Sequence, residues 1–219
     1  MLFENILEVI DVVPHAAALN MAIDEVLLRH AQTPLLRVYQ WERPAVSLGY
    51  FGVAAQILPQ CESRDVVRRW TGGGVVWHGE DFTYSIVVPR AAEFFRMRPL
   101  ASYAAIHQCL AAVIPEAIVA DAPDVTDKSE FCFVAPVQND LLHHGRKIGG
   151  AAQRRTSEGL LHQGSVQAPD RGVHAGLRVG FASALGRNVR ERALSAGELE
   201  EAAQLAEKKY ATRTWLWRR

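Results

Sequence analysis

Three consecutive glycines, Gly72-Gly73-Gly74, lie inside a segment whose other residues follow a β-strand pattern. Strand-like runs precede them at Val66 to Arg69 and follow them at Val75 to His78 and Phe82 to Val88. Glycine costs extra backbone entropy in such a context, so bare backbone must be needed there. The segment predicts either an anion-binding loop or a floor under a flat group or an acyl chain, and a plain hairpin turn with two solvated arginines is the alternative.

Helical spacing of apolar residues recurs in three other stretches. Residues 16–31 place apolar side chains in two adjacent rows, and residues 103–113 repeat the same spacing. Near the end, Ser195 and Glu198 have the separation of a capping box, which predicts a closing helix through Tyr210.

The remaining runs predict strands. We expect Leu35 to Trp41 and Ala45 to Phe51 to form a hairpin about Arg43-Pro44, and further strands at residues 138–144, 147–154 and 159–166. Helices mixed with many strands predict an α+β domain with a mixed or antiparallel sheet.

Bulk composition narrows the function classes. Of 219 residues, 24 are Lys or Arg and 24 are Asp or Glu, so the chain has no excess of positive charge with which to bind nucleic acid. No run approaches the roughly 20 apolar residues of a membrane span, and no leader is evident, so we expect a cytoplasmic protein without membrane contact. We expect one domain over residues 1–219, without an accessory domain. The three cysteines form no CxxC pair and the eight histidines no HxxxH motif, so no metal is predicted.

A second segment carries a possible catalytic lysine. Lys147 leaves a glycine-containing turn and enters a run of very small residues, Gly149 to Ala152, which leaves an open groove beside its ammonium group. A lysine in that setting can polarise an acyl carbonyl or bind phosphate oxygens. The alternative is an exposed lysine on an edge strand.

Together the two segments resemble the catalytic domain of lipoate-protein ligases and lipoyl or octanoyl transferases. Arg68 to His78 is similar to the family's Arg-Arg-x-Ser/Thr-Gly-Gly-Gly/Arg signature, and Gly145 to Gln153 to its Gly-x-Lys-Ile/Val-x-Gly-Ser/Ala-Ala-Gln signature. A later His-x-Gly-Ser matches His162 to Ser165. The resemblance implies a mixed, largely antiparallel β-sheet flanked by helices, like the catalytic domain of biotin and lipoyl ligases.

The resemblance also implies site residues. It gives catalytic roles to Lys147 and Cys132, and contacts with the acyl or adenylate group to residues of both signatures. These are Arg68, Arg69, Thr71, Gly72, Gly73, Gly74, Val75, His78, Gly149, Gly150, Ala151, Ala152, His162 and Gly164.

Cys132 bears on the branch of the family. The run Cys132 to Pro136 looks like the cysteine segment of octanoyltransferases, in which a thiolate accepts the acyl chain and a neighbouring lysine helps to ionise the thiol. The alternative for Cys132 is a buried core cysteine. Asp81 to Ser85 resembles the transferase branch, as does Gly79 where ligases usually have Asp, whereas the third glycine resembles the ligase branch.

We therefore expect an enzyme that transfers an octanoyl or lipoyl group from acyl carrier protein to a lysine of a lipoyl-carrier domain. That carrier would be a glycine cleavage H protein or a 2-oxoacid dehydrogenase E2, and no covalently bound group is expected beyond a transient acyl. One alternative is a lipoate-protein ligase that uses ATP and Mg²⁺ through lipoyl-AMP, with a separate accessory chain. Another is an inactive acyl-binding or carrier-binding module.

Overall fold

The structure is a computed structural model that describes residues 1–61, 63–121, 137–167 and 173–218. The strands in this part of the chain are β1 (Phe3–Ile10), β2 (Leu35–Tyr39), β3 (Ala45–Leu48), β4 (Asp65–Arg68), β5 (Val75–His78), β6 (Phe82–Pro89), β7 (Ala117–Val119), β8 (Leu141–His143), β9 (Arg146–Arg155), β10 (Gly159–Val166) and β11 (Gly186–Ala193). The α-helices are α1 (Ala17–His30), α2 (Ala54–Ile57), α3 (Pro99–Ala111), α4 (Val173–Leu185), α5 (Ala196–Leu205) and α6 (Arg213–Leu216). Leu58–Gln60 and Glu93–Arg96 form short 3₁₀ turns, and Ala206–Tyr210 is π-helical.

The strands form two sheets. The larger has eight strands in the order β11-β1-β2-β6-β10-β9-β8-β7, and the smaller has three in the order β4-β3-β5. In the larger sheet only the β11–β1 and β1–β2 pairs are parallel. The prediction of a mixed, largely antiparallel sheet flanked by helices is confirmed.

Helices cover both faces of the larger sheet. On one face α1 packs with α5 and the segment after it. On the other, Ile106 and Leu110 of α3 meet Leu177 and Phe181 of α4. Every residue of the central strands β6 and β10 is buried as a result, including polar residues such as Thr83, Ser85 and Gln163.

All three predicted helices appear where the spacing places them. Helix α3 covers most of the stretch predicted at residues 103–113 and ends at Ala111. Helix α1 accounts for the apolar rows of residues 16–31. The capping box is also present, because Ser195 Oγ accepts from Glu198 N and Glu198 Oε2 accepts from Ser195 N. This reciprocal pair of hydrogen bonds satisfies backbone N–H groups that would otherwise have no acceptor at the first turn of α5.

The predicted hairpin between Leu35 and Phe51 is wrong. Strand β2 pairs with β1 and β6 in the larger sheet, whereas β3 lies between β4 and β5 in the smaller one. Both strands are buried along nearly their whole length. Each is therefore central in its own sheet, and the connection through Arg43-Pro44 crosses between sheets instead of turning within one.

Sequence patterns also missed β1, β7, β11 and α4. Strand β11 is an outer strand rich in charged and polar side chains, so it lacks the apolar alternation that signals a strand. No helix in the described ranges is long and apolar enough to cross a membrane.

Candidate active site

A cavity of about 260 Å³ lies between the triple-glycine loop, strands β9 and β10, and the C-terminal end of β2. Nine of the residues singled out in the sequence line it: Arg69, Gly73, Gly74, His78, Lys147, Gly150, Ala151, Ala152 and Gly164. The two signatures, at residues 68–78 and 145–153, therefore meet at one site.

Lys147 forms a buried ion pair at the cavity wall. Its Nζ lies 2.7 Å from Asp140 Oδ2, and the two side chains are only 5% and 1% exposed. Gly150 leaves room for this pair, because a Cβ at that position would lie 3.1 Å from Asp140 Oδ1 and 3.3 Å from Lys147 Nζ. Lys147 is thus a positioned cation and not an exposed edge-strand lysine.

Asp140 is held by further donors. Tyr103 Oη donates to Asp140 Oδ1 at 2.9 Å, and Val137 N donates to Oδ2 at 2.9 Å. Burial raises the pKa of Tyr103 well above its usual value, and the charge of Asp140 adds to this effect, so the phenol keeps its proton. Tyr103 Oη also accepts a hydrogen bond from Ala151 N at 2.7 Å, which links α3 to β9, the strand that carries Lys147.

Two buried histidines lie behind this group. His107 Nδ1 donates to Asn139 O at 2.6 Å, and burial lowers the pKa of His107 to about 4. Gln153 Nε2 donates to His162 Nδ1 at 3.1 Å, and burial lowers the pKa of His162 well below its usual value. Both imidazoles are therefore neutral near pH 7. His162, predicted to contact substrate, instead stacks on Tyr84 outside the residues that line the cavity.

Arg69 shapes the glycine loop. Its guanidinium donates to Ser47 O and Oγ, both at 2.7 Å, and to the carbonyl oxygens of Gly72 and Gly74 at 2.9 Å. The loop also packs directly against Gly49, because a Cβ at that position would lie 1.9 Å from Gly73 O. Gly73 itself has φ +82° and is exposed at the rim of the cavity.

Arg68 does not contribute to the cavity. It is fully buried, and burial lowers its pKa. Its guanidinium donates only to backbone carbonyl oxygens in the bonds described, those of Gly49, Tyr50, Gly52, Trp215 and Leu216. The prediction that Arg68 contacts an anionic ligand is therefore not supported, because its donors hold two chain segments together.

His78 is fixed from both sides of its ring. Its Nε2 hydrogen bonds with Ser47 Oγ at 2.7 Å and its Nδ1 with Asp81 Oδ2 at 2.8 Å, while Trp41 stacks on the ring at 4.1 Å. Burial alone would raise the pKa of Asp81, but the His78 charge and hydrogen bonds from His78, Ser165 and Gly79 N lower it far below its usual value. In many hydrolases a serine, a histidine and an aspartate form a catalytic triad. Here Arg69 donates to Ser47 Oγ and holds this oxygen in the cavity wall.

The remaining predicted contacts lie outside the cavity lining. Thr71 Oγ1 donates to Gln163 Oε1 at 2.7 Å, and Gln163 Nε2 donates to Asp24 Oδ2 at 2.7 Å, which ties the loop to α1. Val75 belongs to the core of the smaller sheet, and Gly149 is packed between Leu141 and Val166. Cys132 lies outside the described residues.

Sequence reasoning did not single out Asp140, Tyr103, Ser47 or Asp81 as site residues. Asp140 had a local signal, since it directly precedes β8, the strand that pairs with the Lys147 strand β9. Tyr103 and Ser47 reach the site from elements distant in sequence, so only the fold brings them there.

Comparisons with known proteins show the family of this chain. The sequence model described as the lipoyl protein ligase A/B catalytic domain matches residues 16–168. Octanoyltransferase LipM of Carboxydothermus hydrogenoformans is 38% identical over 169 residues, which are 72% of this chain and 63% of that protein. Its counterpart in Oceanobacillus iheyensis is 34% identical over 171 residues, 70% and 60% of the two chains. The match thus spans about three fifths of these relatives.

Solved structures share the fold at lower identity. A T. acidophilum protein described as a lipoate protein ligase, with bound lipoic acid, aligns with a TM-score of 0.77 at 21% identity, over 98% of this chain and 99% of that one. A bipartite lipoate protein ligase with its E2 lipoyl domain, from Thermoplasma acidophilum, aligns with a TM-score of 0.67 at 20% identity, over 98% and 96%.

Proposed function

Because this chain belongs to the lipoyl protein ligase A/B catalytic domain family, we propose that it is a protein-lipoylation enzyme that transfers an octanoyl group to a lysine of a lipoyl-carrier domain. One observation carries the proposal: the buried Lys147 ammonium lies at the wall of a cavity floored by small residues. A cation there can stabilise the oxyanion that develops on an acyl carbonyl. The similarity to octanoyltransferases supports an eight-carbon acyl group.

The cavity suits a slender chain. Its volume of about 260 Å³ is below the roughly 300–1,000 Å³ of sites that enclose drug-sized ligands. An acyl chain fits this space, with its carbonyl toward Lys147, whereas a nucleotide would have to lie outside it. The carrier part of a thioester donor would likewise lie outside the cavity.

In the proposed reaction Cys132 is the acyl acceptor. The Cys132 thiol gives up its proton, its thiolate attacks the thioester carbonyl of octanoyl-acyl carrier protein, and the bond to the donor sulfur breaks; the carrier thiolate leaves and takes up that proton. The amine of the lipoyl-domain lysine then attacks the Cys132 thioester, forms the amide and releases the cysteine thiol as the nitrogen loses its proton. Lys147 stabilises the oxyanion in both steps.

The structure describes the two other cysteines of the chain. Cys61 and Cys109 are buried, and burial raises the pKa of both thiols. A thiol with a raised pKa is a poor nucleophile near neutral pH. These two positions therefore serve as controls for acylation of Cys132.

The test is the intact mass of the enzyme after incubation with octanoyl-acyl carrier protein and no ATP. We expect a gain of one octanoyl group that hydroxylamine removes and that a lipoyl domain accepts, for example from an E2 or an H protein. Cys132→Ala should abolish both the adduct and the transfer, whereas Cys61→Ala and Cys109→Ala should retain them. Wild-type transfer by Cys132→Ala would refute the thioester mechanism.

A second candidate is ATP-dependent lipoate ligation through lipoyl-AMP, with Mg²⁺ and a separate accessory chain. The observation that favours it is the exposed Gly73 at the cavity rim, since bare backbone there lets a nucleotide phosphate approach. It predicts modification of the lipoyl domain with lipoate and ATP regardless of Cys132. An enzyme inactive under both conditions would instead be a binding module.

A further inference from the structure

A cluster of possible metal ligands lies at the β7 edge of the larger sheet, outside the residues that line the cavity. Glu116, His143 and His144 each offer one ligand atom, and these atoms all lie within 4.8 Å of one another. His144 Nε2 and Glu116 Oε2 are 3.3 Å apart. Two ligands on a tetrahedral zinc ion, with bonds of about 2.1 Å, are separated by about 3.4 Å, so this pair already has the required spacing.

The backbone presents these three side chains on fixed positions. His144 and Gly145 form the two-residue turn between β8 and β9, with φ +48° and +74°. His143 pairs with Ala117 of β7, so Glu116 comes directly before a residue that faces His143. Ala117 N donates to Ile114 O at 3.1 Å, which closes the turn around Glu116. Little ordering of the main chain would be needed to gather the ligands.

The ligand chemistry selects a class of ion. Imidazole nitrogens favour zinc, copper, nickel and iron, whereas magnesium and calcium prefer an all-oxygen shell. The side chains of His144 and Glu116 are each 68% exposed, which leaves access for the ion and for water ligands. The sequence contains no metal motif because Glu116 joins the adjacent histidines only through the pairing of β7 with β8.

We propose that Glu116, His143 and His144 bind a divalent transition-metal ion of the zinc type. The ion ties the turn before β7 to the tip of the β8–β9 hairpin. That hairpin carries Lys147 near the start of β9, and Asp140 directly precedes β8. Binding therefore stiffens the pair of strands that holds the buried lysine. This site does not depend on the acyl transfer proposed above.

The test is calorimetric titration of the untagged full chain with ZnSO₄, followed by Co²⁺ absorption. We expect one strong site in the wild type and a loss of affinity of roughly tenfold or more in His143→Ala and in His144→Ala, because even outer-shell changes cost about that much. Glu116→Gln, which keeps the size of the side chain, should weaken binding as well. Hydrogen exchange of the β8–β9 amides should slow on addition of Zn²⁺ only when the site is intact.

The chain offers a matched control. His30 Nε2 lies 2.7 Å from Glu201 Oε2 on the surface, so it forms a histidine–carboxylate pair with no second histidine among its described contacts. His30→Ala should leave zinc affinity unchanged. Equal affinity of wild type and the His143→Ala/His144→Ala variant would overturn the proposal, as would a thiolate-to-cobalt charge-transfer band, since that band would place the ion on a cysteine.

Discussion

Lys147 Nζ lies 2.7 Å from Asp140 Oδ2 although both side chains are almost completely buried. The two residues belong to the two arms of one hairpin, where Leu142 pairs with Lys147 and Leu141 with Gly149. The charge of the lysine is therefore held at the cavity by its own hairpin, and the aspartate supplies the compensation that a buried cation requires.

Lys147→Ala should lower kcat for acyl transfer by roughly 100-fold or more, because loss of a positioned cation removes about 2.7–4 kcal/mol of transition-state stabilisation. The variant should fold but melt at a lower temperature, since Asp140 then loses the ion-pair partner it has in the fold. Single-turnover rates and thermal melts measure the two effects. Arg146→Ala, at the exposed neighbouring position, is the control for both. Near-normal turnover in Lys147→Ala would contradict the assignment.

Tyr103→Phe should lower both stability and kcat, because Tyr103 Oη joins Asp140 to Ala151 N. Loss of a buried hydrogen bond costs about 1–3 kcal/mol, which urea unfolding can measure. Tyr210→Phe is a matched control: its Oη also donates to a buried carboxylate, that of Glu25, but Glu25 does not line the cavity as Asp140 does. We expect that variant to lose stability and keep kcat. Equal kcat losses in the two variants would mean that Tyr103 acts on the fold alone.

Gly49→Ala should be far more damaging than Gly72→Ala. A Cβ at Gly49 would stand 1.9 Å from Gly73 O and displace the loop, whereas a Cβ at Gly72 meets nothing within 4 Å. Gly73→Val should block ligand approach at the rim, since φ +82° is also unfavourable for a branched residue. Melting temperatures and the KM for the acyl donor compare the three variants. Tolerance of Gly49→Ala would show that the loop can move away.

Stability should fall as the pH drops from about 6.5 to about 4. Burial lowers the pKa of His107 to about 4 in the folded protein, whereas an unfolded histidine titrates near 6.5. Between these values only the unfolded chain binds the proton, so unfolding becomes more favourable by up to about 3 kcal/mol. His162, whose pKa burial also lowers, adds in the same direction. Urea unfolding at several pH values should show this slope, and His107→Gln should reduce it; an unchanged slope in that variant would contradict the prediction.

The sequence predicted the class of fold and the meeting of its two signatures, because short motifs with a fixed order carry that information. It did not predict which strands pair, and the separation of β2 from β3 into different sheets is an example. Arg68 illustrates the same limit at the site. Next to a glycine loop it has the residue type of an anion ligand, and only the positions of Trp215 and Leu216, far away in the chain, show where its donors go.

The carbonyl oxygens of residues 215 and 216 share the Arg68 guanidinium with those of residues 49, 50 and 52. A single side chain thus joins the last described helix to the segment on which the glycine loop rests. A reporter protein or an affinity tag fused to that helix would strain these Arg68 hydrogen bonds. Fusions at the opposite end of the chain, before β1, are the safer choice for labelled versions of this protein, because Arg68 makes no hydrogen bond to that strand among those described.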